Sequence, residues 1–470
     1  MSYDVAVIGG GISGLTTAFD LSQRGYKVVV LERQNHAGGN AFSERMGGFL
    51  MEHGPSTVNA QSPSAVALSK RLGLDQEQCD LGEDVKQRYL VGRGELQGIP
   101  VHPLGFLLSN YLSLPGRLRL MSEFAVPRYK GGGEETVEEF STRRFGKEFT
   151  DKVIDPLVAG IYAGRASELS VAVGFPKLSG LEQKFGSIAV GLYKGYRQNL
   201  SMPSKRLFSW RDGIGTLPAT LTAKLGGRVK TGVTVRKIRR RANGFDIDAG
   251  SDGTLRVKSV VIATQPHVAA VLMDGVNDTA AAAAGDIQAP PLAVVYLGYK
   301  RNQVDHPLDG LGFLAPENED QYMSGSQFCS TMFPGRAPEG YVAVTGYFGG
   351  ARAPELANAS ADDLTDFACE EFANLIGAKG KPVISRVRHW HRGLPQYNLG
   401  HQQRINDLLN ADKRVPGLFL TGNYFSGPSV AVCASQAIAT SQRVAMHLAK
   451  WDELGHAETE IQMVASESGL

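Results

Sequence analysis

Residues 3–32 leave this chain few folds to adopt. Tyr3-Asp4-Val5-Ala6-Val7-Ile8 is an apolar run of strand length, and it leads directly into Gly9-Gly10-Gly11-Ile12-Ser13-Gly14. An amphipathic helical pattern follows through Leu15, Ala18, Phe19 and Leu21. Gly25 breaks it, and a second strand, Lys27 to Leu31, ends in Glu32. This is a βαβ unit with Gly9, Gly11 and Gly14 at GxGxxG spacing and an acid at the end of the second strand. Gly9 permits the tight turn, Gly11 lets backbone approach a pyrophosphate at a helix N-terminus, and Gly14 lets helix and strand pack closely. Glu32 can accept both ribose hydroxyls of a dinucleotide. Outside this context such glycines carry little weight; inside it they predict a dinucleotide site.

The following residues separate the two common dinucleotides. Glu32-Arg33 is followed by four residues, then Gly38-Gly39, then Phe49 and Glu52-His53-Gly54-Pro55. A plain nicotinamide dehydrogenase would continue to its next helix. The pattern resembles the E-R-x(4)-G-G of FAD enzymes in the amine oxidase superfamily. That resemblance implies a loop running along the FAD phosphates. The superfamily usually carries a basic residue after the glycine pair; Asn40 stands here. No His or Cys falls where a flavin link can be argued, so the expectation is non-covalent FAD.

A chain of 470 residues exceeds one ordinary core, so two or three domains are expected. A net charge of +2 gives no general case for nucleic acid. Cys79, Cys329, Cys369 and Cys433 are widely scattered, which suits a reducing compartment rather than a disulfide framework. The N-terminus begins on a strand, so no signal peptide is expected. No run of about 18 apolar residues occurs, so no transmembrane span is expected.

Further along, the pattern predicts an α/β chain of discontinuous domains. Residues 1–85, 210–290 and 393–450 read as a Rossmann-like FAD-binding domain. Residues 86–103, 195–209 and 291–392 read as an α+β substrate domain, and 104–194 as a helical lobe. Arg88 to Pro103 reads as a hairpin, and 361–375 as a helix among strands. Strands are expected at 228–231, 233–239, 244–248 and 259–264, the last stopped by Pro266, and again at 417–423. A helix follows to about Lys450, and the polar tail 451–470 is expected to fray.

Four segments then narrow the family: Glu52-His53-Gly54-Pro55; the block from Asp155 to Gly164 with Glu168-Leu169-Ser170 behind it; Leu394-Pro395-Gln396-Tyr397-Asn398-Leu399-Gly400-His401; and Gly422-Asn423-Tyr424 with Gly427. Across nearly its whole length the chain resembles the flavin-dependent protoporphyrinogen oxidase family. The second and third segments discriminate best. The resemblance implies oxidation of protoporphyrinogen IX or coproporphyrinogen III, with FAD accepting hydride, in haem biosynthesis. It implies a cofactor site from Gly9, Gly11, Ser13, Gly14, Glu32, Arg33, Gly38, Gly39, Gly54, Pro55, Ser56, Val235, Ala263, Gly422, Asn423, Ser429 and Val430. It also implies a cytoplasmic enzyme in peripheral contact with a membrane, and it admits a homodimer. Two positions depart from the pattern: Ser56 replaces an Asn of plant-like relatives, and Pro428 follows Gly427 where Val is usual.

Hydride transfer to a flavin needs an apolar slot and orientation more than an acid–base pair. No Ser-His-Asp arrangement, HExxH or convincing carboxylate pair occurs. His389 and His391 form an HxH without a third ligand, which reads as ordinary strand, and no metal is expected. Arg88 precedes Tyr89-Leu90-Val91, where family members place an arginine that pairs with a substrate propionate; a guanidinium fork suits that task. Without the resemblance it reads as a surface arginine. Phe328, Phe333, Tyr347 and Phe348 read either as an apolar substrate wall or as plain core. Apolar residues at 103–108 and 111–115 lie near Arg117, Arg119, Arg128 and Lys130. They read equally as a membrane-facing surface or as buried helix. Two other readings stay open: an FAD oxidase or desaturase of another large apolar substrate or an amine, and a flavin-binding protein without turnover.

Overall fold

The computed structural model describes residues 3–60, 62–100, 103–197 and 207–467. Five parallel strands form a nucleotide sheet in the order Val229–Lys230, Val28–Leu31, Val5–Ile8, Ser259–Ile262 and Leu418–Leu420. Their side chains alternate between two cores. Val5, Val7, Val28, Val30, Val261 and Phe419 pack with helices Ile12–Gln23, Thr216–Leu225 and Val430–Glu467. Ala6, Ile8, Val29, Leu31, Val260 and Ile262 pack on the opposite face with helices Pro266–Met273, Asp278–Gly285 and His401–Leu409. Covered on both faces, the strands carry unbroken apolar runs instead of alternation. The chain has an α/β, Rossmann-like flavoprotein fold.

A second sheet of seven strands runs Ile384–Trp390, Leu292–Lys300, Tyr341–Gly349, Met323–Gln327, Gly310–Leu314, Gln87–Gly92 and Glu95–Gly98. One face packs against helix Ala361–Ile376 through Val295, Leu297, Val344, Phe348, Leu364 and Phe372. The helices between Pro103 and Arg197 form a lobe around Phe140, Val158, Tyr162 and Leu169. Arg144 is fully buried there, 2.5 Å from Glu123. Glu123 also accepts from the N–H groups of Ile188 (3.0 Å) and Ala189 (3.2 Å), so one carboxylate neutralises an interior charge and caps a helix.

The structure departs from the sequence pattern in three places. Of the segment 195–209 assigned to the substrate half, 198–206 lies outside the described residues. Leu207–Trp210 pairs instead with Val58–Asn59 and Gln78–Asp80, and Phe208 and Trp210 join the core under the nucleotide sheet. The strand expected over 233–239 runs over Lys237–Arg241, because Val233 is spent on a backbone bond to Glu32 O (2.9 Å). The last helix continues to Glu467; its polar end carries Glu453, Glu458, Glu460 and Glu467, and Glu is a good helix former whose polarity does not imply fraying.

The two sheets meet at the hairpin Ser43–Met46 and Phe49–Glu52. Phe49 and Met51 pack on Tyr296 and Ala343. Here the buried Arg336 guanidinium lies 3.3 Å from Glu52, donates to Ser209 Oγ (2.8 Å) and covers the Phe333 ring. Glu52 also accepts from Ser43 Oγ (2.5 Å) and the Ile214 N–H (2.9 Å). Burial pushes the Glu52 carboxyl upward, and the Arg336 charge and these bonds oppose that rise. Among the described residues no helix is long and apolar enough to cross a membrane.

Glu371, on the helix behind the seven-stranded sheet, is a buried carboxyl that receives the backbone N–H groups of Tyr322 and Met323. Burial raises it to about 7, from an ordinary 4.5. A carboxyl that keeps its proton longer in the folded chain favours folding most at low pH, and that contribution disappears as pH climbs through about 7. Glu371→Gln should therefore gain thermal stability relative to the parent between about pH 5 and 7 and hold a constant offset above about pH 8. Thermal midpoints across that range check this; parallel curves would show that Glu371 does not titrate as described.

Candidate flavin site

The glycine turn is fixed by backbone crowding. Gly9 has φ +104°, and a Cβ there would meet Ala263 O at 2.8 Å. A Cβ on Gly14 would lie 1.9 Å from Gly9 O. Gly11 caps helix Ile12–Gln23, whose first turn carries no acid and whose cap makes no side-chain hydrogen bond, so no group of the helix itself offsets its positive end. Gly38 donates to Gly10 O (2.8 Å), and a Cβ on Gly39 would sit 3.1 Å from Gly11 Cα. The second glycine pair therefore stacks backbone-to-backbone on the first and forms the other wall of one cradle. Gly54 closes it, since a Cβ there would meet Asn40 O at 2.2 Å. The residue after the glycine pair thus serves packing through its carbonyl, whatever its side chain.

Glu32 Oε2 accepts from the Gly10 N–H (2.6 Å), and Oε1 from the Gln34 N–H (2.8 Å). Each oxygen keeps a lone pair for a ribose hydroxyl. The donors, the helix end and the side-chain-free walls together fit a dinucleotide, and the residues that would hold FAD are those of this turn with Glu32. Ser13 is buried at the start of the helix, and Arg33 is exposed beside Glu32 in sequence. Val235 is half-buried; Val233, which sequence reasoning missed, is the residue bonded to the Glu32 strand.

A second group of residues lies beyond the strand Leu418–Leu420. A Cβ on Gly422 would meet the Tyr424 ring at 2.5 Å, and Asn423 is half-buried. Ser429 Oγ accepts from the Val432 N–H (3.3 Å), and Val430 opens the last helix inside the core. Both groups sit at the carboxyl ends of parallel strands, where open α/β sheets bind ligands.

Pro55-Ser56 reaches the second sheet: Ser56 Oγ donates to Gln327 Oε1 (2.8 Å). Trp390 Nε1 donates to His53 O (2.8 Å). The loop 53–56 therefore crosses the sheet face that looks away from helix Ala361–Ile376. Neither Gln327 nor Trp390 is identifiable in sequence, since each partner lies hundreds of residues away.

The candidate substrate residues divide. Tyr347 is half-buried and lies on that open face, whereas its neighbour Phe348 points into the helix-side core, as strand alternation requires. Phe328 is fully buried in the same core, in tilted and edge contacts with Tyr89, His306 and Phe313. Phe333 is buried under Arg336. The aromatic wall is therefore corrected to Tyr347. Arg88 is exposed on strand Gln87–Gly92, on the same side as Leu90, which packs on the lobe through Tyr111 and Leu112. His389 Nδ1 lies 2.9 Å from Ala357 O, in the 3₁₀ turn Leu356–Asn358.

Glu32→Ala removes charge-assisted hydrogen bonds worth roughly 1.5–3 kcal/mol each. FAD affinity should fall by about one to two powers of ten. Titration of apoprotein with FAD, read by flavin fluorescence, checks this; unchanged affinity would place the ribose elsewhere.

Comparison with known proteins agrees with this geometry. Residues 12–449 match the family model described as flavin containing amine oxidoreductase. Protoporphyrinogen oxidase 1, chloroplastic, of Spinacia oleracea is 30% identical, over 96% of this chain and 85% of its own length. Coproporphyrinogen III oxidase of Bacillus subtilis is 29% identical, over 93% and 96%. Among solved structures, a chain from Exiguobacterium sp. 255-15, provisionally named a protoporphyrinogen oxidase, superposes with TM-score 0.82 at 20% identity, over 95% of this chain and 99% of its own. Cyclohexylamine oxidase from Brevibacterium oxydans superposes with TM-score 0.70 at 15% identity, over 95% and 100%. This chain is an FAD-dependent oxidoreductase and belongs to the flavin-containing amine oxidoreductase family.

Proposed function

We propose that this protein oxidises a porphyrinogen, protoporphyrinogen IX or coproporphyrinogen III, in haem biosynthesis. The observation that carries the reading is likeness over 96% and 93% of the chain to relatives named for those two substrates. The glycine turn and Glu32 would hold FAD non-covalently, and the bound flavin would supply the hydride acceptor. The chain's own task is placement. A reacting carbon must come within about 3–3.5 Å of its acceptor, so the macrocycle edge has to be held against the loop 53–56. The open sheet face carries Tyr347 as an apolar surface for the macrocycle. Arg88 forms no ion pair among the described residues, and its fork suits a substrate propionate. The lobe, packed on the same face through Leu90 and Leu314, keeps water from that edge.

The lobe also carries the membrane contact. Leu108 (79% exposed), Leu114, Leu118, Met121 and Phe124 (68%) follow one another over two helices and a 3₁₀ turn. Five exposed large apolar side chains in so short a stretch are the kind of surface that serves as an interaction site. Arg119 is not free for lipid head groups, because it donates to the carbonyls of Arg143 (2.6 Å) and Arg144 (3.1 Å). Insertion of apolar side chains at the cytoplasmic face, rather than charge attraction, is the proposed mode.

The reaction is tested by porphyrin fluorescence with each porphyrinogen, using simple amines as controls. An enzyme-dependent rise above air oxidation is expected for at least one porphyrinogen, with hydrogen peroxide formed where oxygen is the acceptor. No such rise for either one removes the substrate assignment and leaves the flavin fold standing. In the same assay Arg88→Ala should raise KM substantially with an unaltered flavin spectrum, and Arg88→Lys should recover only part. Wild-type kinetics in both would make Arg88 a surface residue. For the lobe, the parent should co-sediment with phosphatidylcholine–phosphatidylglycerol vesicles even in high salt, while Leu114→Ser/Leu118→Ser/Phe124→Ser stays in the supernatant. Equal partitioning of the two proteins would remove the membrane contact.

A further inference from the structure

The segment Leu394 to His401 stands out in sequence, yet it contributes no residue to the cradle described above. It lies where three parts of the molecule meet. Gln396 Nε2 donates to Tyr162 O (2.9 Å), at the end of lobe helix Asp155–Tyr162, and a Cβ on Gly164 would meet Gln396 Oε1 at 2.5 Å. The Ser170 N–H donates to Tyr397 O (2.9 Å), and the Leu399 N–H to Glu168 O (3.1 Å). The Gln396 N–H donates to Gln288 O (2.8 Å), on the connection between the two sheets.

From this joint two side chains reach the turn after strand Leu418–Leu420. The Tyr397 hydroxyl donates to Asn423 O, and His401 Nε2 lies 2.8 Å from Tyr424 O. A carbonyl only accepts, so His401 carries its proton on Nε2. Burial pushes the imidazole down to about 4, so it stays neutral. Both side chains are fully buried, and their rings meet in a tilted contact with centroids 4.8 Å apart. Tyr397 belongs to the lobe core and lies 5.4 Å from the Tyr162 ring, whereas Tyr424 belongs to the nucleotide-sheet core. Two successive peptide carbonyls are thus each held by a buried side-chain donor, and a trans peptide fixes the N–H opposite each carbonyl.

We propose that Tyr397 and His401 are positioning residues that set the backbone of Asn423 and Tyr424 against the flavin and tie its seating to the lobe. The proposal rests on assigning Gly422 to Val430 to the flavin site, and it is independent of which substrate is oxidised.

The experiment uses holoprotein without substrate, carrying Tyr397→Phe, His401→Leu, His401→Gln or Glu32→Ala. Three quantities are read: the resolved shape of the visible flavin bands, the rate of FAD release on dilution, and the thermal midpoint of the apoprotein. Each lost hydrogen bond should speed FAD release about three- to tenfold. Tyr397→Phe and His401→Leu should also shift the flavin bands. His401→Gln, which restores a donor near the Nε2 position, should recover both the bands and the release rate. The proposal is overturned if Tyr397→Phe and His401→Leu lower the apoprotein midpoint but leave flavin bands and release at parental values while Glu32→Ala releases FAD faster. If Glu32→Ala also releases FAD at the parental rate, the cofactor site itself is misassigned and the proposal falls with it.

Discussion

The buried pair between Arg336 and Glu52 decides how the two sheets face each other. Removing a guanidinium and a carboxylate from water costs about as much as their attraction returns, so the pair adds little net stability. Its effect is on arrangement: any packing that separates Arg336 from Glu52 strands two charges in a dry interior. Glu52 is simultaneously fixed to Ser43 and to the Ile214 N–H, and Arg336 to Ser209. The strand that ends at Glu52 therefore cannot slide, and His53 to Ser56 issue from it at a set height above the seven-stranded sheet. The Trp390 bond to His53 and the Ser56 bond to Gln327 complete that placement.

At the other end of the cofactor site the limiting factor is steric. Gly9, Gly14 and Gly54 each face a carbonyl oxygen closer than any Cβ tolerates. Side-chain-free backbone on both walls brings N–H groups and a helix end within reach of a charged ligand, and Glu32 sits at the rim with its orientation already set by two peptide donors. Little reorganisation is left for binding to drive, which suits a cofactor that stays through many turnovers.

These two ends differ in how far they can be read in the sequence. The cradle is local: glycines at GxGxxG spacing, an acid after the next strand and a second glycine pair leave one geometry. The substrate face is assembled from strands whose order in the sheet bears no relation to their order in the chain. Period-two alternation separates Tyr347 from Phe348, but only the sheet pairing says which of them faces the loop 53–56. Phe328 is equivalent to them in sequence, and only its place at a strand-to-helix turn puts it among Tyr89 and Phe313. Ser56 with Gln327, and Glu52 with Arg336, are contacts between distant residues that no local pattern encodes. The apolar stripe of the lobe is visible in the sequence; that two backbone carbonyls consume Arg119 is not.

The nucleotide sheet draws its strands from residue 5 to residue 420, with its last helix later still. A ribosome releases the glycine turn long before the strand Leu418–Leu420. Until that edge strand docks beside Ser259–Ile262, the sheet lacks one side, and helix Ile12–Gln23 lacks the closing helix that begins at Val430. The intervening substrate strands and lobe must fold, or wait, between two halves of an unfinished platform. High sequence separation of this kind slows folding and prolongs exposure of apolar strands. Capture of the cofactor thus waits for that edge strand and the helix behind it, and free FAD should act on this protein's yield as a late-binding folding ligand rather than as an early nucleus.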